Sequence, residues 1–174
     1  MDSHHEQVMR ARAAAASDPP RRYFAWSTIL DRAAFEEWRD QHQYSSFSLP
    51  AGEVGEAEGV ALVYDFPSRW WGGRVAGIVD RPGSSVFGMV FEIAGVDWPI
   101  IRHKEGGITG MSVERPVRVR LASGATVEAT AFATAPERRR EEGPISPRFV
   151  EALVRGAESA GLPAAWVASL RTAG

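Results

Sequence analysis

Tyr23 to Trp38, YFAWSTILDRAAFEEW, places two hydroxyl residues where an apolar strand-like run gives way to an acidic, helix-prone one. At Ser27 and Thr28 such a corner turns backbone N–H groups outward, where they can hold an anion. The same corner serves equally well as a plain helix cap. A second chemical run has Arg102, His103 and Glu105 ahead of Gly106 and Gly107. Arg102 lies three residues before Glu105, so on a helix the two share a face. The arginine then either pairs with Glu105 or holds a ligand carboxylate. His103 lies two residues from Glu105 and faces elsewhere, as a second acid–base group or as a structural histidine. Taken alone, Glu105 reads as a solvated carboxylate at a helix end. Trp70 and Trp71 either wall a pocket or cover the core. Asp65 and Asp80 follow strand-like runs, but no Ser–His–Asp set accompanies them. His4 and His5 have no nearby partner and read as part of a solvated tail rather than as metal ligands.

The chain that positions these groups has 174 residues, enough for one domain with a substantial core at 44% hydrophobic content. A net charge of -2 gives no footprint for nucleic acid or an acidic membrane surface. No cysteine is present, which removes disulfides and thiolate metal sites and fits a cytoplasmic location. No apolar run approaches the roughly 20 residues of a membrane span, and no secretory signal is expected at the N-terminus. The sequence leaves the oligomeric state open.

Residues 1–21 read as a flexible N-terminal arm, helical at most over Glu6 to Ala16 before Pro19 and Pro20. Residues 22–174 read as a single domain. Its first strand covers Tyr23 to Ala25, and Asp31 caps a helix over Arg32 to Gln41 with Ala34, Phe35 and Trp38 as its buried stripe. Leu49 to Gly59 reads as an exposed acidic loop, Val60 to Phe66 as a buried strand, and Arg74 to Ile93 as a hairpin turning at Arg81-Pro82-Gly83. A helix carrying Pro99 in its first turn ends at Gly106 and Gly107. Two strands follow, joined by Ala122-Ser123-Gly124, with Val117, Val119 and Leu121 on the buried face. Ser146-Pro147 opens a helix, and a short last helix follows. This mixture predicts an α+β fold rather than regular βαβ alternation.

Several pieces, in order, resemble the gamma-glutamylcyclotransferase family. FAWSTIL (Phe24 to Leu30) is similar to the family's opening strand and loop. WWGGRVAGIV is similar to its Trp-rich loop and following strand, and DRPGSSVFGMVFEI to its Pro-Gly turn and Gly-Val-Val-like strand. HKEGG is similar to its acidic helix end, and PISPRFVEALVRGAESAGLP to its Ser-Pro, helix, Gly-Leu-Pro ending. The resemblance implies a small mixed β-barrel with flanking helices. It implies an intramolecular reaction in which a gamma-glutamyl α-amine attacks its own side-chain carbonyl, giving 5-oxoproline and a free amine. The family's single carboxylate maps onto Glu105, as base and then acid, with no metal or cofactor. Such chemistry suits one relaying carboxylate whose pKa an apolar pocket raises.

The resemblance also assigns small-molecule binding to Tyr23, Phe24, Ala25, Trp26, Ser27, Thr28, Ile29 and Leu30. The family loop Tyr-Gly-Ser-Asn is replaced here by Trp26, Ser27, Thr28 and Ile29, and pocket tyrosines fall on Ser112, Phe132 and Phe149. These departures point to an altered acyl group or leaving amine, as in a biosynthetic deprotection step. Two further expectations keep the fold: a different Glu105-dependent proton transfer, such as an isomerase or lyase step, or a non-catalytic small-molecule-binding or interaction module.

Overall fold

The alternating apolar residues of five extended segments need a common interior, and they reach it by closing a sheet. The computed structural model describes residues 3–172. Its strands are β1 (Arg21–Ala25), β2 (Gly52–Ser68), β3 (Gly73–Ile93), β4 (Ser112–Leu121) and β5 (Thr126–Thr134), and its helices α1 (Ser3–Ala14), α2 (Arg32–Gln41), α3 (Trp98–Lys104), α4 (Pro147–Ser159) and α5 (Ala164–Arg171). The strands form a closed barrel in the order β1-β3-β2-β4-β5. Neighbours are antiparallel except at the β1–β5 seam, a parallel contact at Tyr23↔Thr130. The expected α+β fold, a small mixed β-barrel with flanking helices, is therefore the observed one.

Successive residues of a strand face opposite sides, and this splits the core in two. Phe24 joins Ala57, Val60, Ile78, Val86, Val117 and Val119 in a cluster built almost wholly from strands. Its neighbours Tyr23 and Ala25 join Phe91, Ile93, Ile100, Ile101, Phe132, Phe149 and Leu153, which tie the sheet to the helices. Helix α4 starts as its sequence predicts, with Ser146 Oγ accepting from the Phe149 amide at 3.1 Å and Pro147 in the first turn. Asp31 precedes α2 without a side-chain cap; its carboxylate accepts from Arg155 Nε of α4 at 3.1 Å instead.

Three expectations are corrected. Leu49 to Gly59 is not a loop: from Gly52 onward it pairs with β3, Gly52 opposite Phe91 and Glu58 opposite Ser85. Its small residues are set by close neighbours rather than by turning, since a Cβ on Gly52 would lie 2.5 Å from the Phe91 ring. Arg74 to Ile93 is not a hairpin but one continuous strand. Asp80 pairs with Val60 and Ser85 with Glu58, so residues 81–84 bulge opposite Gly59, with Gly83 at φ 84°. The β2–β3 reversal instead uses the Arg69–Gly72 segment.

The third correction concerns the N-terminal arm, which is helix α1 docked on the domain. Val8 is fully buried, and Arg12 donates to Asp97 Oδ1 at 2.8 Å and to the Val96 carbonyl at 3.2 Å, both beside the start of α3. The extremes of the expected arm and domain, residues 1–2 and 173–174, lie outside the described residues. Among the described residues no helix is long and apolar enough to cross a membrane.

Candidate active site

Helix α3 is short because Pro99 sits in its first turn and Gly106, at φ 82°, reverses the chain just after Lys104. Glu105 occupies the C-cap, its amide donating to the Ile101 carbonyl at 2.9 Å, and the Gly107 amide closes onto the Arg102 carbonyl at 2.7 Å. Within a continuing helix, residues 104 and 105 would diverge by 100°. Both nonetheless line one broad cavity of about 690 Å³.

The Glu105 carboxylate accepts a 2.6 Å hydrogen bond from Tyr23 Oη. Tyr23 is held by edge-on contacts with Trp98 and Phe132, ring centroids 6.1 and 6.2 Å away. Ser112 Oγ donates to the Glu105 carbonyl at 2.5 Å and fixes the backbone that carries the carboxylate. Burial pushes the Glu105 carboxyl above the usual carboxylate range, while the Lys104 charge and the Tyr23 hydroxyl pull it part of the way back. Burial, then the Glu105 charge and its hydrogen bond, push the Tyr23 phenol well above its ordinary value, so it stays a proton donor. The Lys104 ammonium is shifted down by burial and partly restored by Glu105.

Of the residues the sequence singled out, Trp26, Ser27, Thr28, Ser112, Phe132 and Phe149 line this cavity together with Glu105. Tyr23 enters the site through its hydroxyl. Phe24, Ala25, Ile29 and Leu30 do not line the cavity; all four are core residues, between 0% and 8% exposed. Strand alternation turns Phe24 the opposite way from Tyr23, and the 3-10 turn Thr28–Leu30 buries its two aliphatic side chains against α4 and the barrel.

Arg102 does not pair with Glu105: its Nε lies 3.5 Å from Glu114 Oε1, across on β4. His103 is buried, with Nδ1 2.9 Å from Tyr44 Oη and edge-on contacts to Trp38 and His42. The tail reading of His4 and His5 is also corrected. His5 Nδ1 lies 2.9 Å from the His42 carbonyl and its ring stacks on Tyr44, while the His4 ring sits 5.9 Å from that of His103. Although the chain's four histidines gather here, no trio of His, Asp or Glu among the described residues has metal-holding geometry.

Trp71 packs edge-on against Phe149 at 5.4 Å, whereas Trp70 stands 72% exposed at the cavity rim. Asp65, fully buried, accepts from Thr134 Oγ1 at 2.7 Å and Arg139 Nε at 2.9 Å. It ties a loop to the barrel. Gly77 makes room for it, since a Cβ there would lie 2.5 Å from Asp65 Oδ1.

Sequence reasoning missed Trp38, His42 and Lys104 as cavity residues. The first two carried a usable signal: Trp38 on α2 and His42 at its C-cap lie four apart, and their rings stack at 4.5 Å. Lys104 carried none, because helical periodicity turns it away from its neighbour.

Residues 85–170, about half of the chain, match the AIG2-like family model. No curated protein sequence matches. Among solved structures, a gamma-glutamyl cyclotransferase aligns at TM-score 0.72 and 21% identity, over 88% of this chain and 87% of the other. An uncharacterized protein from Homo sapiens aligns at TM-score 0.71 and 21% identity, over 89% and 88%. A yeast gamma-glutamyl cyclotransferase specific to glutathione aligns at TM-score 0.56 and 9% identity, over 88% and 94%. Residues 85–170 thus match the AIG2-like family model, and the barrel with its flanking helices has the fold of these solved structures, a gamma-glutamyl cyclotransferase among them.

Proposed function

We propose that this chain is a cyclotransferase that releases an amine from a gamma-glutamyl, or related acyl, amide. The observation that carries the reading is the Glu105 carboxylate. It is partly buried, lines a cavity of substrate size, and accepts a hydrogen bond from the Tyr23 hydroxyl at 2.6 Å.

The chemistry follows from those groups. Glu105 takes a proton from the substrate's α-ammonium, and the freed amine attacks the γ-carbonyl of the same molecule. The tetrahedral adduct collapses as the γ-carbon–nitrogen bond to the leaving amine breaks; Glu105 returns its proton to that nitrogen, and the second proton of the attacking nitrogen also passes to it, so that the amine departs as its ammonium. The products are 5-oxoproline and the amine, and Glu105 is restored. A carboxylate made more basic by burial suits both halves of this relay. Attack within one molecule leaves little orientational entropy to be lost once the cavity folds the chain.

The cavity walls favour a substrate other than the simplest glutamyl amides. Phe132 and Phe149 offer rings without hydroxyls, and Ser27 and Thr28 supply the polar side chains of the opening loop. Together with Trp26, Trp38 and Trp71 they give the cavity aromatic walls, facing polar and charged ones such as Glu37, Arg148 and Arg155, and suited to a bulky leaving amine.

The test is a panel of gamma-glutamyl amides incubated with the protein, with 5-oxoproline followed by mass spectrometry. The reading expects product from at least one amide and none from Glu105→Gln. Absence of 5-oxoproline across the panel, or product that survives the substitution, overturns it. Turnover of another compound that still needs Glu105 would favour a different proton-transfer reaction in the same cavity.

A further inference from the structure

Lys104 is half-buried at the wall of the cavity, adjoining Glu105. Its ammonium lies 5.6 Å from the centre of the Trp38 ring, a weak cation–π distance. Among the described residues it forms no ion pair and donates no hydrogen bond. The other cations near the site are engaged. Arg155 is bound to Asp31, Arg102 lies beside Glu114, and Arg148 donates to the Trp70 carbonyl at the rim. A half-buried ammonium that no carboxylate contacts directly is stabilised by an anion that does.

Resting on the cyclotransferase reading, we propose that Lys104 is the substrate-positioning cation of this site and holds the α-carboxylate of the glutamyl group. The stereochemistry of the substrate points the same way. Its α-amine and α-carboxylate share one carbon, so the base for the first and the cation for the second must be neighbours. Lys104, the last residue of α3, and Glu105, its C-cap, put a cation and a base into the lining of one cavity. Lys104 thus supplies the anion recognition that the altered loop, with Ile29 turned into the core, does not supply through a side-chain amide. A carboxylate bound here also restores the ammonium's charge against the loss of water.

The experiment compares binding of L-5-oxoproline with that of its carboxamide by calorimetry, in the wild type and in Lys104→Met. Methionine keeps an unbranched apolar stem against Trp38 and removes the charge, and its thermal melt checks the fold. The wild type is expected to bind the carboxylate about tenfold more tightly than the carboxamide, as a charge-assisted contact requires. Lys104→Met is expected to bind the two alike. With a turned-over amide, the same substitution raises KM and leaves kcat within a few-fold. Equal binding of both probes by the wild type, no binding of either, or a preference that survives in Lys104→Met overturns the assignment. Glu105→Gln separates this inference from the reaction: it should keep the carboxylate preference while releasing no product. A Lys104-dependent preference without any cyclisation would overturn the reaction and leave the anion site standing.

Discussion

Replacing Tyr23 with phenylalanine removes the hydroxyl that donates to Glu105 Oε1 at 2.6 Å and leaves the ring between Trp98 and Phe132. A hydrogen bond to a charged group contributes roughly 1.5–3 kcal/mol. That stabilisation belongs to the ionised carboxylate, so its loss raises the proton affinity of Glu105 beyond what burial already does. Because the carboxylate faces a cavity that water can enter, the lower end of the range applies, corresponding to about a tenfold increase in proton affinity. The direct assay is a carbon-13 NMR titration of the glutamate carboxyls, with the Glu105 resonance assigned by its loss in Glu105→Gln. In Tyr23→Phe the midpoint should move to higher pH. With a turned-over substrate, the acid limb of the rate profile should move with it. An unchanged midpoint, or one displaced to lower pH, would show that the hydroxyl does not stabilise the carboxylate and would remove Tyr23 from the site.

Burial has given Glu105 a higher pKa in the folded chain than in the unfolded one, so its contribution to stability is favourable in acid and is lost as pH rises through the folded value. Glutamine carries no such cost, so Glu105→Gln should gain melting temperature relative to the wild type on going from about pH 4 to about pH 8; a constant difference would contradict the desolvation. At Gly156 of α4, alanine gains about 1 kcal/mol in helix propensity. Its Cβ, however, would lie 2.7 Å from the Asp31 amide nitrogen and 3.0 Å from the Leu30 carbonyl carbon, backbone atoms that no rotamer change can clear. Overpacking of this kind costs about 1–3 kcal/mol, so Gly156→Ala should melt a few degrees lower. It should also weaken turnover by moving the Ser27–Thr28 wall; a rise in melting temperature would show that the turn yields freely.

What the sequence disclosed and what it withheld divide along physical lines. The β4–β5 pair was legible because Val117 and Val119 alternate with arginines, and α4 because Ser146, Pro147 and its apolar stripe agree locally. The first half of β2 was hidden because Gly52 and Gly55 are small for the sake of cross-strand neighbours, while small residues close together otherwise signal turns. Pro82-Gly83 gave a turn signal that the long β2–β3 ladder absorbed as a bulge. In α1, one buried valine and an arginine paired 85 positions away left no periodic trace. Glu105 was reached by resemblance, and its setting was not legible at all. The Tyr23 hydroxyl comes from 82 residues earlier, and Lys104 lines the same cavity as Glu105 although helical spacing separates the two by about 100°.

The most direct measurement of the central claim follows a cleaved amide in oxygen-18 water with wild type and Glu105→Gln. Intramolecular attack by the α-amine predicts 5-oxoproline without the heavy isotope, formed by the wild type alone. Glutamate carrying oxygen-18, or unlabelled 5-oxoproline from both proteins, would contradict a Glu105-driven cyclisation.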